Sequence, residues 1–217
     1  MRYALASLLL VTLGCSRGTG PAASGGGAVP EAPSPVTPRS EIPSQTQLPT
    51  TTGAAAPSLT VDSPARDALL PEGAPAPSFV GVTHTGVTVM ANGGPRERVL
   101  VVYFYPRDET PGCTAEACAF RDAFAGYADA GADLVGVSTD SAEAHRQFAS
   151  HHRLPFGLIA DPEARLARAF GLAVEPGGFT PRTTFVIGRS GRVARVFPGV
   201  QVTGHSAEVL AAVRAAH

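Results

Sequence analysis

Residues 98–122 read "RVLVVYFYPRDETPGCTAEACAFRD". After Arg98 the chain is apolar without interruption to Tyr105, the pattern of a strand buried on both faces. A polar turn follows, and then Thr110-Pro111. Threonine is a good helix N-cap, and proline at the first helical position gives up an N–H that would be unpaired anyway. A helix is therefore expected from Pro111 to Tyr127, with Cys113 in its first turn. A sulfur there lies near unsatisfied backbone N–H groups and the positive end of the helix dipole. That setting favours the thiolate, which is the reactive form. Cys118 lies five residues further along the same helix. Five helical residues rise about 7.5 Å and leave the two Cα atoms roughly 8–9 Å apart, whereas a disulfide needs less than about 7 Å. The pair can bond only if the first turns unwind. Ala115, Glu116 and Ala117 between the thiols read as good helix formers.

On either side of this stretch strands and helices alternate. "LVGVS", Leu134 to Ser138, is a second strand, and Ser141 to His152 a helix. Asp161-Pro162-Glu163 opens another helix, with Asp161 as N-cap and Pro162 in the first turn. Thr183 to Ile187 and Arg192 to Phe197 form a hairpin across "GRSG", and a closing helix runs from His205 to Ala216. Ahead of the central strand, "FVGVTHTGVTVMA" reads as a short hairpin turning at Thr85-Gly86. A βαβ start with a hairpin–helix end predicts an α/β domain of thioredoxin-like fold over residues 68–217, a central mixed sheet flanked by helices with an N-terminal β-hairpin.

The N-terminal third is different. Between Tyr3 and Phe79 there is no aromatic residue, and twelve of the 20 prolines lie between Pro21 and Pro77. Such a segment cannot bury enough apolar surface to offset its ordering entropy, so residues 15–67 are expected to be a disordered linker. Residues 1–14, "MRYALASLLLVTLG", carry Arg2 and an apolar run too short to span a bilayer, as in a signal peptide. Gly14-Cys15 resembles the bacterial lipobox, which implies lipidation at Cys15 and an extracytoplasmic, membrane-anchored lipoprotein facing the periplasm. Thr12 and Leu13 depart from the usual lipobox residues, and an enzyme without lipid on Cys15, in the cytoplasm, is the alternative. A formal net charge of −1 argues against a nucleic-acid partner.

The string "FYPRDETPGCTAEACAFRD" resembles the peroxidatic signature of peroxiredoxins, and in particular the bacterioferritin comigratory protein, or peroxiredoxin Q, subfamily. "EGAPAPSF", "GVSTDSAEAHRQFASHHRLPFGLIADPEARLARAFGL" and "PRTTFVIGRSGRV" extend the resemblance over residues 70 to 217. It implies that Cys113 is the peroxidatic nucleophile and that Cys118 resolves its sulfenic acid into an intramolecular disulfide. It also implies that Thr110 offers a hydroxyl to the peroxide, that Arg182 steadies the thiolate and the developing charge, and that Pro106 shields the sulfenate. The partners implied are hydrogen peroxide or organic hydroperoxides and a thioredoxin-like dithiol reductant; the protein would be a monomer without cofactor or metal. His84, His145, His151, His152 and His205 pair with the cysteines at no recognisable metal spacing and read as structural or solvated. The alternative from another class is a membrane-tethered copper-assembly protein resembling the SCO family, whose C-x-x-x-C differs from the C-x-x-x-x-C present and leaves Thr110 and Arg182 without a role.

Overall fold

A computed structural model describes residues 58–216; the expected signal peptide, the expected lipidation site Cys15 and most of the expected linker lie outside them. Among the described residues, eight strands and five helices follow in order. A three-stranded antiparallel sheet comprises β1 (Leu59–Val61), β2 (Phe79–Val82) and β3 (Thr88–Ala91), with β2 in the middle. The main sheet has the order β6-β5-β4-β7-β8, from β4 (Val99–Phe104), β5 (Ala132–Ser138), β6 (Gly157–Ala160), β7 (Thr183–Ile187) and β8 (Val193–Pro198). β4, β5 and β6 run parallel, while β7 is antiparallel to β4 and β8 to β7. The helices are α1 (Pro111–Asp122), α2 (Phe124–Asp129), α3 (Ala142–His152), α4 (Arg165–Ala169) and α5 (His205–Ala215).

The central strand has both faces covered, which is why its sequence does not alternate. Leu100, Val102 and Phe104 join Phe79, Leu166, Phe170 and Phe185 on the face covered by α4 and the small sheet. Val99, Val101, Tyr103 and Tyr105 join Phe120, Tyr127, Phe148, Val209 and Val213 on the face covered by α1, α2, α3 and α5. The small hairpin turns beside Gly86, whose φ of 86° is open to glycine at little cost.

Three expectations are corrected. The helix expected to run to Tyr127 stops at Asp122, and Ala123 adopts φ −95°, ψ 1° before a second helix begins. The break redirects Tyr127 inward, where its ring lies 5.9 Å from that of Phe120 and its hydroxyl donates to the Ser206 carbonyl at 2.6 Å. The helix expected at Pro162 starts at Arg165, because Ala164 takes a left-handed conformation (φ 51°). Asp161 still caps it, from further back: its carboxylate accepts from the backbone N–H groups of Arg165 (2.8 Å) and Ala167 (2.9 Å). Finally, residues 58–67 are ordered rather than part of the expected linker. Leu59–Val61 pairs with β2, Ser63 Oγ accepts from the Ser78 N–H at 2.8 Å, and the Arg66 N–H donates to the Arg168 carbonyl. Leu59 and Val61 pack on the core; a strand of three aliphatic residues adds no aromatic signal by which to find it.

Candidate active site

The turn between β4 and α1 joins one disfavoured backbone conformation to two favoured ones. Glu109 is left-handed (φ 59°), and Thr110 is extended (φ −76°, ψ 145°), as the residue before a proline tends to be. Pro111 then opens α1. Thr110 is the N-cap by position, but its hydroxyl makes no cap bond; it donates to the Arg107 carbonyl at 3.1 Å. Pro106 is half-buried at the exit of β4. Cys113 is the third residue of α1, 1 % exposed, and Cys118 is buried further along the helix; neither is in a disulfide.

Arg182 reaches the same place from far away in sequence. β7 pairs antiparallel to β4 with Thr183 opposite Phe104, which sets Arg182 beside the end of β4. The Thr180 hydroxyl ties this segment to the Tyr105 carbonyl at 3.0 Å. The guanidinium then donates through Nη1 to Cys113 Sγ at 3.2 Å and to Glu116 Oε2 at 3.3 Å. Gly112 makes room for it: a Cβ there would lie 2.5 Å from Arg182 Nη2. Five expected site residues thus fall on one loop-and-helix unit and the loop entering β7, and the sulfur–guanidinium contact joins the two.

Glu116 and Gly112 are additional residues of the site. Read from sequence, Glu116 is a helix former; in the structure it is 2 % exposed and sits on Arg182. Burial pushes its carboxyl up to about 7, against the pull of Arg182. Its Oε1 has no hydrogen-bond partner among the described residues, and His205 Nε2 lies 3.9 Å away. Burial in turn holds His205 down at about 4, so it is neutral, and its Nε2 is 2.8 Å from the Thr184 hydroxyl. The spacing of Glu116 to Cys113, three residues on one helix face, is the signal that points to it. For Gly112 there is no such signal, because it serves a side chain brought in by another strand.

The other histidines divide. His145 is fully buried, with Nδ1 2.8 Å from Asp108 Oδ2, and Asp108 also accepts from the Tyr105 hydroxyl at 2.7 Å. This group fixes the β4–α1 turn to α3. His84 Nδ1 accepts from the Leu158 N–H. His151 and His152 face Glu109.

A thiol in the first turn of a helix, held by an arginine at the edge of a mixed sheet, is the equipment of a cysteine-dependent oxidoreductase of thioredoxin-like fold. The AhpC/TSA family model matches residues 73–196. Peroxiredoxin Bcp of Bacillus subtilis is 43 % identical over 119 residues, covering 52 % of this chain and 76 % of that one. The chloroplastic peroxiredoxin Q of Oryza sativa subsp. japonica is 37 % identical over 155 residues, 71 % of each chain. Among solved structures, a Xanthomonas campestris bacterioferritin comigratory protein, described for its alkyl peroxide reduction activity, superposes with a TM-score of 0.58 at 31 % identity, over 69 % of this chain and 98 % of that one. The chain belongs to the AhpC/TSA family, in its Bcp/peroxiredoxin Q branch, and is a peroxiredoxin with the thioredoxin-like fold. That assignment disfavours the copper-assembly alternative.

Proposed function

We propose that the chain reduces hydrogen peroxide and organic hydroperoxides through Cys113, that Cys118 resolves the product, and that a thioredoxin-like dithiol restores both thiols. The observation that carries this reading is the 3.2 Å contact of Arg182 Nη1 with Cys113 Sγ in the first turn of α1. The sulfur anion attacks the terminal, proton-bearing peroxide oxygen, the O–O bond breaks, and the leaving alkoxide or hydroxide takes a proton from solvent to become alcohol or water. Cys113 is left as a sulfenic acid. Arg182 and the backbone N–H groups of the α1 N-terminus are donors placed where negative charge develops. The Thr110 hydroxyl stands at the same end of the helix, and Pro106 lies half-buried where the chain leaves β4. Glu116 holds the guanidinium fork in place.

In the second step the Cys118 thiolate attacks the Cys113 sulfur, a disulfide forms, and water leaves. With both residues on α1 the Cα separation of about 8–9 Å is too long for a disulfide. The first turns of α1 must therefore unwind before resolution, and a dithiol then reduces the disulfide by exchange. The alkyl peroxide activity attached to the Xanthomonas relative supports organic hydroperoxides as substrates here. A lipid on Cys15 would place this chemistry at a membrane surface, with an extracytoplasmic thioredoxin-like donor.

The test is peroxide consumption by the full chain, with hydrogen peroxide or cumene hydroperoxide as substrate and thioredoxin or dithiothreitol as reductant. Turnover that vanishes in Cys113→Ser is expected. Wild-type protein that consumes neither peroxide with either reductant refutes the reading.

A further inference from the structure

Next to the thiol site, and not used by it, Glu109 meets two consecutive histidines at the end of α3. Glu109 Oε1 is 3.2 Å from His151 Nδ1, and Oε2 is 3.0 Å from His152 Nε2. The three ligand atoms lie within 4.8 Å of one another. The imidazole rings stack with centroids 4.5 Å apart at 29°. Tetrahedral zinc with bonds of about 2.0–2.1 Å sets its ligand atoms roughly 3.3–3.4 Å apart, so three ligand atoms already within 4.8 Å need only side-chain rotation to close on one ion. Two imidazoles and one carboxylate are a donor set for zinc or its neighbours and leave an open position for water. Entry needs no unfolding: the side chains of His151 and Glu109 are 71 % and 49 % exposed. His152 is the anchored member, with its side chain 13 % exposed and its ring packed edge-on to Phe148 at 4.9 Å.

We propose that Glu109, His151 and His152 bind a divalent cation of the zinc class, and that the bound ion pins the loop carrying Cys113 to the end of α3. Glu109 directly precedes the N-cap of α1 and is held left-handed at φ 59°. A residue other than glycine stays in that conformation only where its surroundings determine it, and its two carboxylate contacts reach α3. The same helix end receives the other half of α1, since Arg121 Nη1 donates to the His152 carbonyl at 2.9 Å. A metal bond in place of the Glu109 contacts would tie down the turn that has to unwind. On the reading under Proposed function, the ion thereby slows formation of the Cys113–Cys118 disulfide and prolongs the sulfenic acid.

The site is tested first without the thiols, in the full chain with Cys15, Cys113 and Cys118 all replaced by Ser, titrated calorimetrically with zinc chloride. One equivalent is expected to bind, and His151→Ala and Glu109→Gln should each weaken binding by about tenfold or more. No binding in the parent, or binding that neither substitution weakens, overturns the site. Amide exchange of residues 108–114 in the same parent should slow several-fold with zinc and stay unchanged in His151→Ala; exchange indifferent to zinc overturns the pin. With the cysteines restored, the disulfide that follows one equivalent of peroxide is timed by quenching and mass spectrometry. Zinc should delay it in the wild type and not in His151→Ala. Equal delay in both would overturn the link to catalysis. Failure of the peroxidase reading itself would show as no sulfenic acid in metal-free protein, and the titration and exchange results stand independently of that.

Discussion

Gly112→Ala isolates the placement of the arginine from everything else in the site. The new Cβ would sit 2.5 Å from Arg182 Nη2, well inside contact distance, and the atom it meets is the tip of a flexible side chain. The guanidinium therefore yields, by about 1 Å, and takes Nη1 away from Cys113 Sγ. A hydrogen bond to a charged group is worth about 1.5–3 kcal/mol. Losing it from the transition state predicts a fall of roughly 10- to 100-fold in the second-order rate with peroxide. Stability should move the other way. Gly112 does not hold a positive φ, and alanine favours helix over glycine by roughly 0.5–1 kcal/mol. The signature is thus a slower enzyme with an unchanged or higher melting temperature. It is measured by stopped-flow peroxide reduction beside thermal unfolding of the same preparation. A variant within twofold of wild type, equally stable or more so, would refute the claim that the Arg182–Cys113 contact governs the reaction.

Cys118→Ser should reduce one equivalent of peroxide at the wild-type rate, then stall with thioredoxin and accumulate over-oxidised Cys113; normal thioredoxin-supported turnover would remove Cys118 from the resolving role. Arg182→Lys keeps the charge but loses the planar fork, with an expected loss on the order of 10²-fold, or about 2.7 kcal/mol, read from the same stopped-flow rate. Glu116 gives a pH-dependent stability: burial raises its carboxyl from 4.5 to about 7, so the folded state holds its proton more tightly than the unfolded state. Its contribution is present below pH 4.5 and is lost as pH rises through 7, on the order of 3 kcal/mol in all. Denaturant titrations should show Glu116→Gln gaining on wild type between pH 5 and 8, and a difference independent of pH would contradict the burial argument. Full-length protein made in a Gram-negative host should partition with membranes and gain lipid mass at Cys15, both lost in Cys15→Ala; soluble wild-type protein retaining Met1 would remove the anchor.

Much of this protein is written locally. The apolar run at 99–105 needs burial on both faces, and the Thr110-Pro111 start places Cys113 in a first helical turn by short-range backbone sterics alone. The spacing to Cys118 likewise follows from helix geometry. Arg182 was within reach only through resemblance, since a lone arginine carries no local signal. Tertiary structure decided what depends on neighbours distant in sequence. β7 pairing with β4 brings Arg182 onto the sulfur, and only then do Gly112 and the buried Glu116 acquire a role. Local propensity ran α1 on to Tyr127, yet packing against Ser206 and Phe120 ended it at Asp122. The strand Leu59–Val61 exists because β2 offers an edge to pair with, and three isolated residues have no cooperative structure of their own. Helix starts, strand cores and thiol positions are set by forces acting over a few residues; the charge around the thiol is set by which strands lie side by side.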